Sequence, residues 1–470
     1  MKPSKITGHW GEDAVGFKWT EQDSVDNRLQ QMDVGRFYSA TIWTPKEMTL
    51  KGIAVRIGEK SEASVLFDTE LLRVVCGWTG EFLEFNPARY GIISPPKVGK
   101  EIAFHSPRQP GWSREGEFKD PRAKPFGPLP REWAKYRGLH LHGDRVVFEY
   151  SVGPQQVVVL ESPWLETIDG EKVFSRELEI APSNSDLELL VAEPGTPVKL
   201  IHEPNVATLA RHDGKGPITV KVPPHAQPVR LTLYYPASAK SASTVFQKLD
   251  ERTRTPRISR KDTEKTSLLQ LVEPGPARWT HEITTRGVVS DKDEPLVVDT
   301  LTLPFDNPYK ALMFVGGHDF FVSGTALAAG AGDRKPSELP AASAVPLTQA
   351  FDAALCTLHG DVWLVSGIDD KLEKLTWKRF ATGLFQPLGL KIVKNQIYVV
   401  GRDQITRLHD LNDDGEADWY ENFNNDGQVS ANGHEYVTCL ETDSRGWFYF
   451  LKGNCDGKTD HDGCLLRVSL

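Results

Sequence analysis

Neither C-x-x-C nor C-x-x-C-H occurs in this sequence, which excludes zinc ribbons, thioredoxin-type redox chemistry and covalent c-type haem attachment. The five cysteines, Cys76, Cys356, Cys439, Cys455 and Cys464, are odd in number and scattered. They form no disulfide framework. Cys455 and Cys464 bracket one Gly/Asp-rich loop and could bridge in an oxidising compartment, although spacing alone does not set the geometry a disulfide needs. Long apolar runs are also missing. None approaches the roughly 18 residues that span a membrane, and the N-terminus lacks the apolar centre of a secretory signal. Positive charge is in deficit, with 55 Lys and Arg against 64 Asp and Glu for a net charge of −9. With no basic stripe carrying interleaved aromatics, a nucleic-acid partner is excluded. Sustained helical periodicity is nearly absent.

What is present is strand pattern. From Gly35 the chain runs in short alternating segments such as 37–43, 51–58, 63–78, 80–85, 144–153 and 155–164, separated by Gly, Pro and Asp. Such alternation predicts half-buried antiparallel strands. The chain length fits about three domain-sized units. The expected fold is all-β: a lead-in at 1–34, an antiparallel β-sandwich over 35–237, and a charged linker or insertion at 238–266. A connecting segment at 267–310 and a second β-rich unit over 311–470 follow, the latter carrying an Ala/Pro-rich loop at 325–348.

The sandwich is interrupted at 105–144 by a Pro- and Gly-rich excursion that cannot form regular strand. Trp112, Trp133, Arg122 and Arg131 could line a sugar groove there, or the tryptophans could simply pin the loop to the sandwich. His140 and His142 share one face of a strand, and without a third convergent ligand they read as structural. In the second unit, segments 356–367, 390–401 and 439–453 each form a strand, a tight turn and an aromatic-bearing strand, at a spacing expected of propeller blades. Residues 311–470 suffice for only about three to four blades, so the propeller is expected to be incomplete, with an open edge inviting self-association.

The most specific motif lies within 404–423. Asp410, Asn412, Asp414, Gly415, Glu416, Asp418 and Glu421 match the twelve-residue calcium loop D-x-[DN]-x-[DN]-G-x5-E. A hard divalent cation needs six or more oxygens, and Gly415 permits the sharp turn. In this reading Glu416 gives its backbone carbonyl and Glu421 closes the site. The flanking sequence is strand-like, so the loop is not set between helices. The alternative is a solvated acidic turn.

Residues 316–321, 356–369, 377–392, 398–423 and 434–453 resemble the propeller of soluble quinoprotein sugar dehydrogenases. The likeness extends to large bacterial dehydrogenase-like and haem-binding proteins, in which a β-rich domain of unknown function precedes the propeller. Segments 67–85, 120–130 and 138–153 are similar to that N-terminal domain. The resemblance implies an N-terminal domain plus first blades of a quinone-dependent sugar or alcohol dehydrogenase-like protein, inactive alone. Pyrroloquinoline quinone would bind only in a complete propeller. His434 matches the proton-accepting histidine of that family, and Arg402 and Asp403 fall where a cofactor funnel would be lined, or form a structural ion pair. The family's axial haem ligands and C-x-x-C-H tail have no counterpart here. Periplasmic or secreted placement is implied by the resemblance, cytoplasmic placement by a native start at Met1. The competing expectation is a non-catalytic carbohydrate- or partner-binding protein.

Overall fold

In the computed structural model the residues described are 27–87, 91–92, 94–203, 206–211, 214–254, 267–292, 294–321, 351–453 and 457–469. Most of the expected lead-in, the loop at 325–348 and Cys455 therefore lie outside the described residues. Seven strands come first: β1 (Phe37–Trp43), β2 (Met48–Ile57), β3 (Ala63–Asp68), β4 (Arg73–Thr79), β5 (Leu83–Glu84), β6 (Lys97–Val98) and β7 (Glu101–His105). Then follow β8 (Ala134–His142), β9 (Arg145–Val152), β10 (Val157–Ile168), β11 (Glu171–Ile180), β12 (Leu187–Ala192), β13 (Lys199–Glu203), β14 (Thr208–Arg211), β15 (Ile218–Val222) and β16 (Val229–Pro236). The connecting segment carries β17 (Ile283–Thr285). Three meanders close the chain. The first is β18 (Val315–Phe320), β19 (Ala353–Thr357), β20 (Val362–Ser366) and β21 (Leu375–Ala381). The second is β22 (Gly389–Val393), β23 (Gln396–Val400), β24 (Ile405–His409) and β25 (Trp419–Asn424). The third is β26 (Val437–Thr442), β27 (Trp447–Lys452) and β28 (Cys464–Ser469).

The fold is all-β, as its composition and alternation predict. Strands β1 to β7 form one sheet in the order β5-β6-β1-β2-β3-β4-β7. Both of its faces are buried. Ile53, Val55, Val65 and Phe67 join one core, whereas the intervening Ala54 and Leu66 join a second with Trp363 and Trp377 of the first meander. Burial on both sides is why β3 and the start of β4 read as unbroken apolar runs rather than as alternation.

The second large sheet has ten strands, in the order β13-β16-β11-β10-β9-β8-β25-β24-β23-β22. It crosses the expected break between 237 and 311, because β25 pairs with β8 through Trp419 opposite His140, Tyr420 opposite Leu139 and Glu421 opposite Gly138. Gly138 makes this approach possible. Its φ of +144° is one that side chains disfavour, and a Cβ there would run into the Tyr420 carbonyl. The sandwich and the second unit thus share one continuous sheet.

The meanders meet through their first strands. Gly316 and Gly317 of β18 lie against the backbone of Leu388, Gly389 and Leu390, and Gly389 lies against Cys439 and Leu440. Lys391 ties the three together, 3.4 Å from Asp319 of β18 and 3.0 Å from Glu441 of β26. Between the first meander and the connecting segment sits a buried ion pair. Arg379 donates from Nε to Asp361 Oδ2 at 3.0 Å and from Nη2 to Asp361 Oδ1 at 2.9 Å. The Trp279 and Tyr309 rings cover its guanidinium. Among the described residues no helix is long and apolar enough to cross a membrane.

A buried lysine joins the first sheet to the second unit. Lys51 donates to the carbonyls of Asn425 and Gly427, and burial lowers its pKa, partly offset by Glu70 and Asp403. Burial in turn pushes Glu70 up to about 7 and Asp403 up to about 6. Both carboxyls hold a proton more tightly folded than unfolded. The stability they confer is full below about pH 4 and is lost as pH rises through about 6 to 7. Glu70→Gln retains an oxygen for the Gly127 N–H and removes the titration. Between about pH 5.5 and about pH 8, urea unfolding of this variant is expected to lose less stability than wild type, by on the order of 1–2 kcal/mol. Parallel pH profiles would rule Glu70 out as a contributor.

Candidate functional site

The acidic motif is the connection of the β24–β25 hairpin. Arg407 pairs with Glu421 and His409 with Trp419, so the loop proper is Asp410 to Asp418. Short polar side chains curl it by accepting from its own backbone. Asp410 accepts from the Gly415 N–H at 2.7 Å and the Asp414 N–H at 3.2 Å. Asn412 Oδ1 accepts from Asp414 N at 3.2 Å, Asp414 Oδ1 from Glu416 N at 2.9 Å, and Asp418 Oδ2 from Leu411 N at 2.9 Å. Gly415, at φ +79°, makes the turn that the motif assigns to glycine, with Lys378 packed over it.

The electrostatics of this loop are unbalanced. Asp410 and Asp418 are buried. Burial, reinforced by the neighbouring Asp414 carboxylate, pushes Asp410 up to about 6 and Asp418 up to about 7. Among the described residues no lysine or arginine forms an ion pair with Asp410, Asp414 or Asp418. Lys378 donates to the Asp414 carbonyl oxygen instead. Ionised carboxylates desolvated without a counter-charge are costly.

The two glutamates of the motif have other partners. Glu416 grips the connecting segment, accepting from Trp279 N at 2.6 Å and Arg278 N at 2.8 Å. Only its carbonyl remains for a cation. Glu421 lies on β25, 2.6 Å from Arg407 Nε and 2.8 Å from His409 Nε2. Burial alone would raise its pKa, but these two partners hold it below the usual range. The strand register thus places Glu421 on the strand beyond the loop, and the loop itself carries the oxygens of Asp410, Asn412, Asp414, the Glu416 carbonyl and Asp418. Among the described residues no three His, Cys, Asp or Glu side chains stand together as a closed metal site. The donor chemistry fits calcium, whereas the carboxylates would have to turn inward to surround it.

Three segments meet at this loop. Leu141 N donates to Asp418 O at 2.7 Å, Ala417 N to Phe380 O at 2.8 Å, Arg278 Nη2 to Ala417 O at 3.0 Å and Asn412 Nδ2 to Gly275 O at 3.1 Å. Immediately after it, the Trp419 ring is stacked between His140 and His409, with centroids 5.3 and 4.4 Å away. His140 Nε2 lies 3.0 Å from Glu149 and His142 Nδ1 lies 3.0 Å from the Glu273 carbonyl, so both have structural partners. The Glu416 clamp and the stacked Trp419 were not legible in the sequence, since their partners stand far away along the chain.

The remaining candidates divide. Arg402 lines a small cleft with Tyr38, Ile92, Pro95, Phe385 and Gly433. Its guanidinium donates to Gln386 Oε1 at 3.1 Å and Asn432 O at 2.8 Å, and its carboxylate partner is Glu435 at 3.7 Å. Asp403 is buried toward Lys51. His434 is exposed beside Gly433, its N–H donating to Asn432 Oδ1 at 3.0 Å. Arg402 thus reaches the 430–435 loop that carries His434 through the Asn432 carbonyl. In the long excursion, Trp112 and Trp133 are buried in the main core, Arg122 pairs with Asp120 and Glu70, and Arg131 pairs with Asp426. The tryptophans pin the loop and offer no open ring face to a sugar.

Residues 65–159, from β3 into β10, match a domain of unknown function (DUF6797). No curated protein and no solved structure matches the chain.

Proposed function

We propose that the chain is a framework module on the plan of the propeller dehydrogenases, fastened by one calcium ion at Asp410, Asn412, Asp414, the Glu416 carbonyl and Asp418, and inactive by itself. The observation that carries this reading is the pair of buried carboxylates, Asp410 and Asp418, in no ion pair among the described residues, in the loop that three other segments meet. A divalent cation turns their repulsion into attraction. The meanders support the propeller plan, because their first strands touch in succession through glycine.

A polyanionic quinone needs open cations at those first strands. Lys391 is held by Asp319 and Glu441, and Arg402 is spent on Gln386, Asn432 and Glu435. The residues present do not fit pyrroloquinoline quinone. The purified chain, given calcium, that quinone and glucose, is expected to reduce no dye. Dye reduction that disappears in His434→Ala would overturn the framework reading and restore a dehydrogenase. Absence of calcium binding by calorimetry would remove the metal while leaving the strand plan.

A further inference from the structure

The excursion between β7 and β8 is fastened unevenly. At its near end Trp112 is buried in the main core and bridges to Leu189. At its far end Leu129 and Trp133 enter the same core. From Ser113 to Pro128 no apolar side chain is buried, and polar contacts hold the stretch instead. Ser113 N donates to Glu188 O at 2.9 Å. Arg122 folds the middle on itself by bonding Asp120 and the Gly127 carbonyl, and it lies 3.4 Å from Glu70. Gly127 N donates to Glu70 Oε1 at 2.7 Å. Lys124 lies 2.7 Å from Asp460, and both side chains are half exposed.

What lies beneath is charged. Lys51 and Glu70 adjoin, since the Thr69 N–H and hydroxyl both donate to the Lys51 carbonyl at 3.1 Å. The Lys51 ammonium donates to the Asn425 and Gly427 carbonyls. Gly127 rests on the same turn, where a Cβ would stand 3.4 Å from Gln428. Under this cover Lys51 is 2 % and Glu70 4 % exposed. A segment with apolar anchors only at its ends belongs to the least stable part of a fold. Its exposed ion pair contributes little in water and is screened by salt.

We propose that residues 113–128 form a strap that opens as a unit between its Trp112 and Leu129 anchors and lets solvent reach Lys51 and Glu70 while the sheets stay folded. Arg122 and Gly127 leave Glu70 together, because the guanidinium also holds the Gly127 carbonyl. The Lys124–Asp460 pair is the outermost tie, so its strength sets how often the strap stands open. The strap depends on neither calcium nor the dehydrogenase plan.

The test is acetylation of Lys51 in the full chain by the N-hydroxysuccinimide ester of acetic acid, read by mass spectrometry. Maleimide alkylation of Cys76, fully buried in the same sheet, is measured in parallel and reports opening of the sheet itself. Between about 20 mM and about 500 mM salt, acetylation of Lys51 is expected to rise about two- to fivefold, with Cys76 unreacted. Lys124→Glu sets a like charge against Asp460 and is expected to show a similar rise already at low salt. Combining Lys124→Glu with Asp460→Lys reverses the pair and is expected to restore the slow rate, which also shows that the single variant had not misfolded. Lys51 reacting only in step with Cys76 would overturn the strap, because the cover would then lift only when the sheet unfolds. A rate indifferent to salt and to Lys124→Glu, or a reversed pair that fails to recover, would overturn it equally.

Discussion

Calcium added to the ion-free protein is expected to raise its melting temperature by several degrees. A ligand that binds only the folded chain at a hundredfold excess over its dissociation constant stabilises by about 2.7 kcal/mol, or roughly 3–6 °C for a chain of this size class. Magnesium should substitute poorly, since it demands a tighter octahedron and sheds water reluctantly. Asp410→Asn removes the charge and keeps one oxygen, enough for one of the two loop N–H groups that the Asp410 oxygens now serve. It is expected to abolish most of the calcium shift, with an ion-independent loss of about 1 kcal/mol for the hydrogen bond given up. Glu421→Gln is expected to leave the shift intact, because Glu421 belongs to Arg407 and His409. Loss of the shift in Glu421→Gln would return that residue to the metal and refute the shorter loop. An unchanged melting point in millimolar calcium would leave a solvated acidic turn.

A larger penalty is expected at Arg379. Arg379→Met strips Asp361 of a bidentate partner where both side chains are fully buried. Removing one member of such a pair typically costs about 3–5 kcal/mol, on the order of a third of a domain's stability. Burial already raises the Asp361 pKa despite Arg379, so the orphaned carboxyl should take up a proton at neutral pH. Adding Asp361→Leu to Arg379→Met should recover much of the loss, because two apolar groups in place of an ion pair are often tolerated. Urea midpoints for the two single variants and the double variant decide the matter. A double variant no better than Arg379→Met would show that the guanidinium matters through Trp279 and Tyr309, which it stacks against.

How much of this was legible beforehand follows from how local each signal is. The strand alternation, the glycine turn at 415 and the Asx curl of the loop are set by residues within a few positions, and they could be read directly. Glu421 could not be placed by motif spacing, because the β24–β25 register opposite Arg407 decides where it points. The strand-like run before the loop was the available clue, since a hairpin continues as a strand on the far side. The division into sandwich and second unit followed the composition of 238–266, but composition says nothing about which edges pair, and β8 meets β25 across that interval. Trp112 and Trp133 illustrate a different limit: an aromatic in a Pro-rich loop can face solvent or core, and only packing against Tyr150 and its neighbours chooses.

The pairing of β8 with β25 also has a meaning for the order of synthesis. The two partners lie about 280 residues apart, a separation at which closing the contact is slow. While the chain is being made, β8 is complete long before Trp419 leaves the ribosome. During that interval the N-terminal half carries a finished strand with one bare edge, next to a glycine that leaves its backbone open. The nascent protein therefore waits for its own far end, and anything that lengthens the wait exposes that edge to the wrong strand.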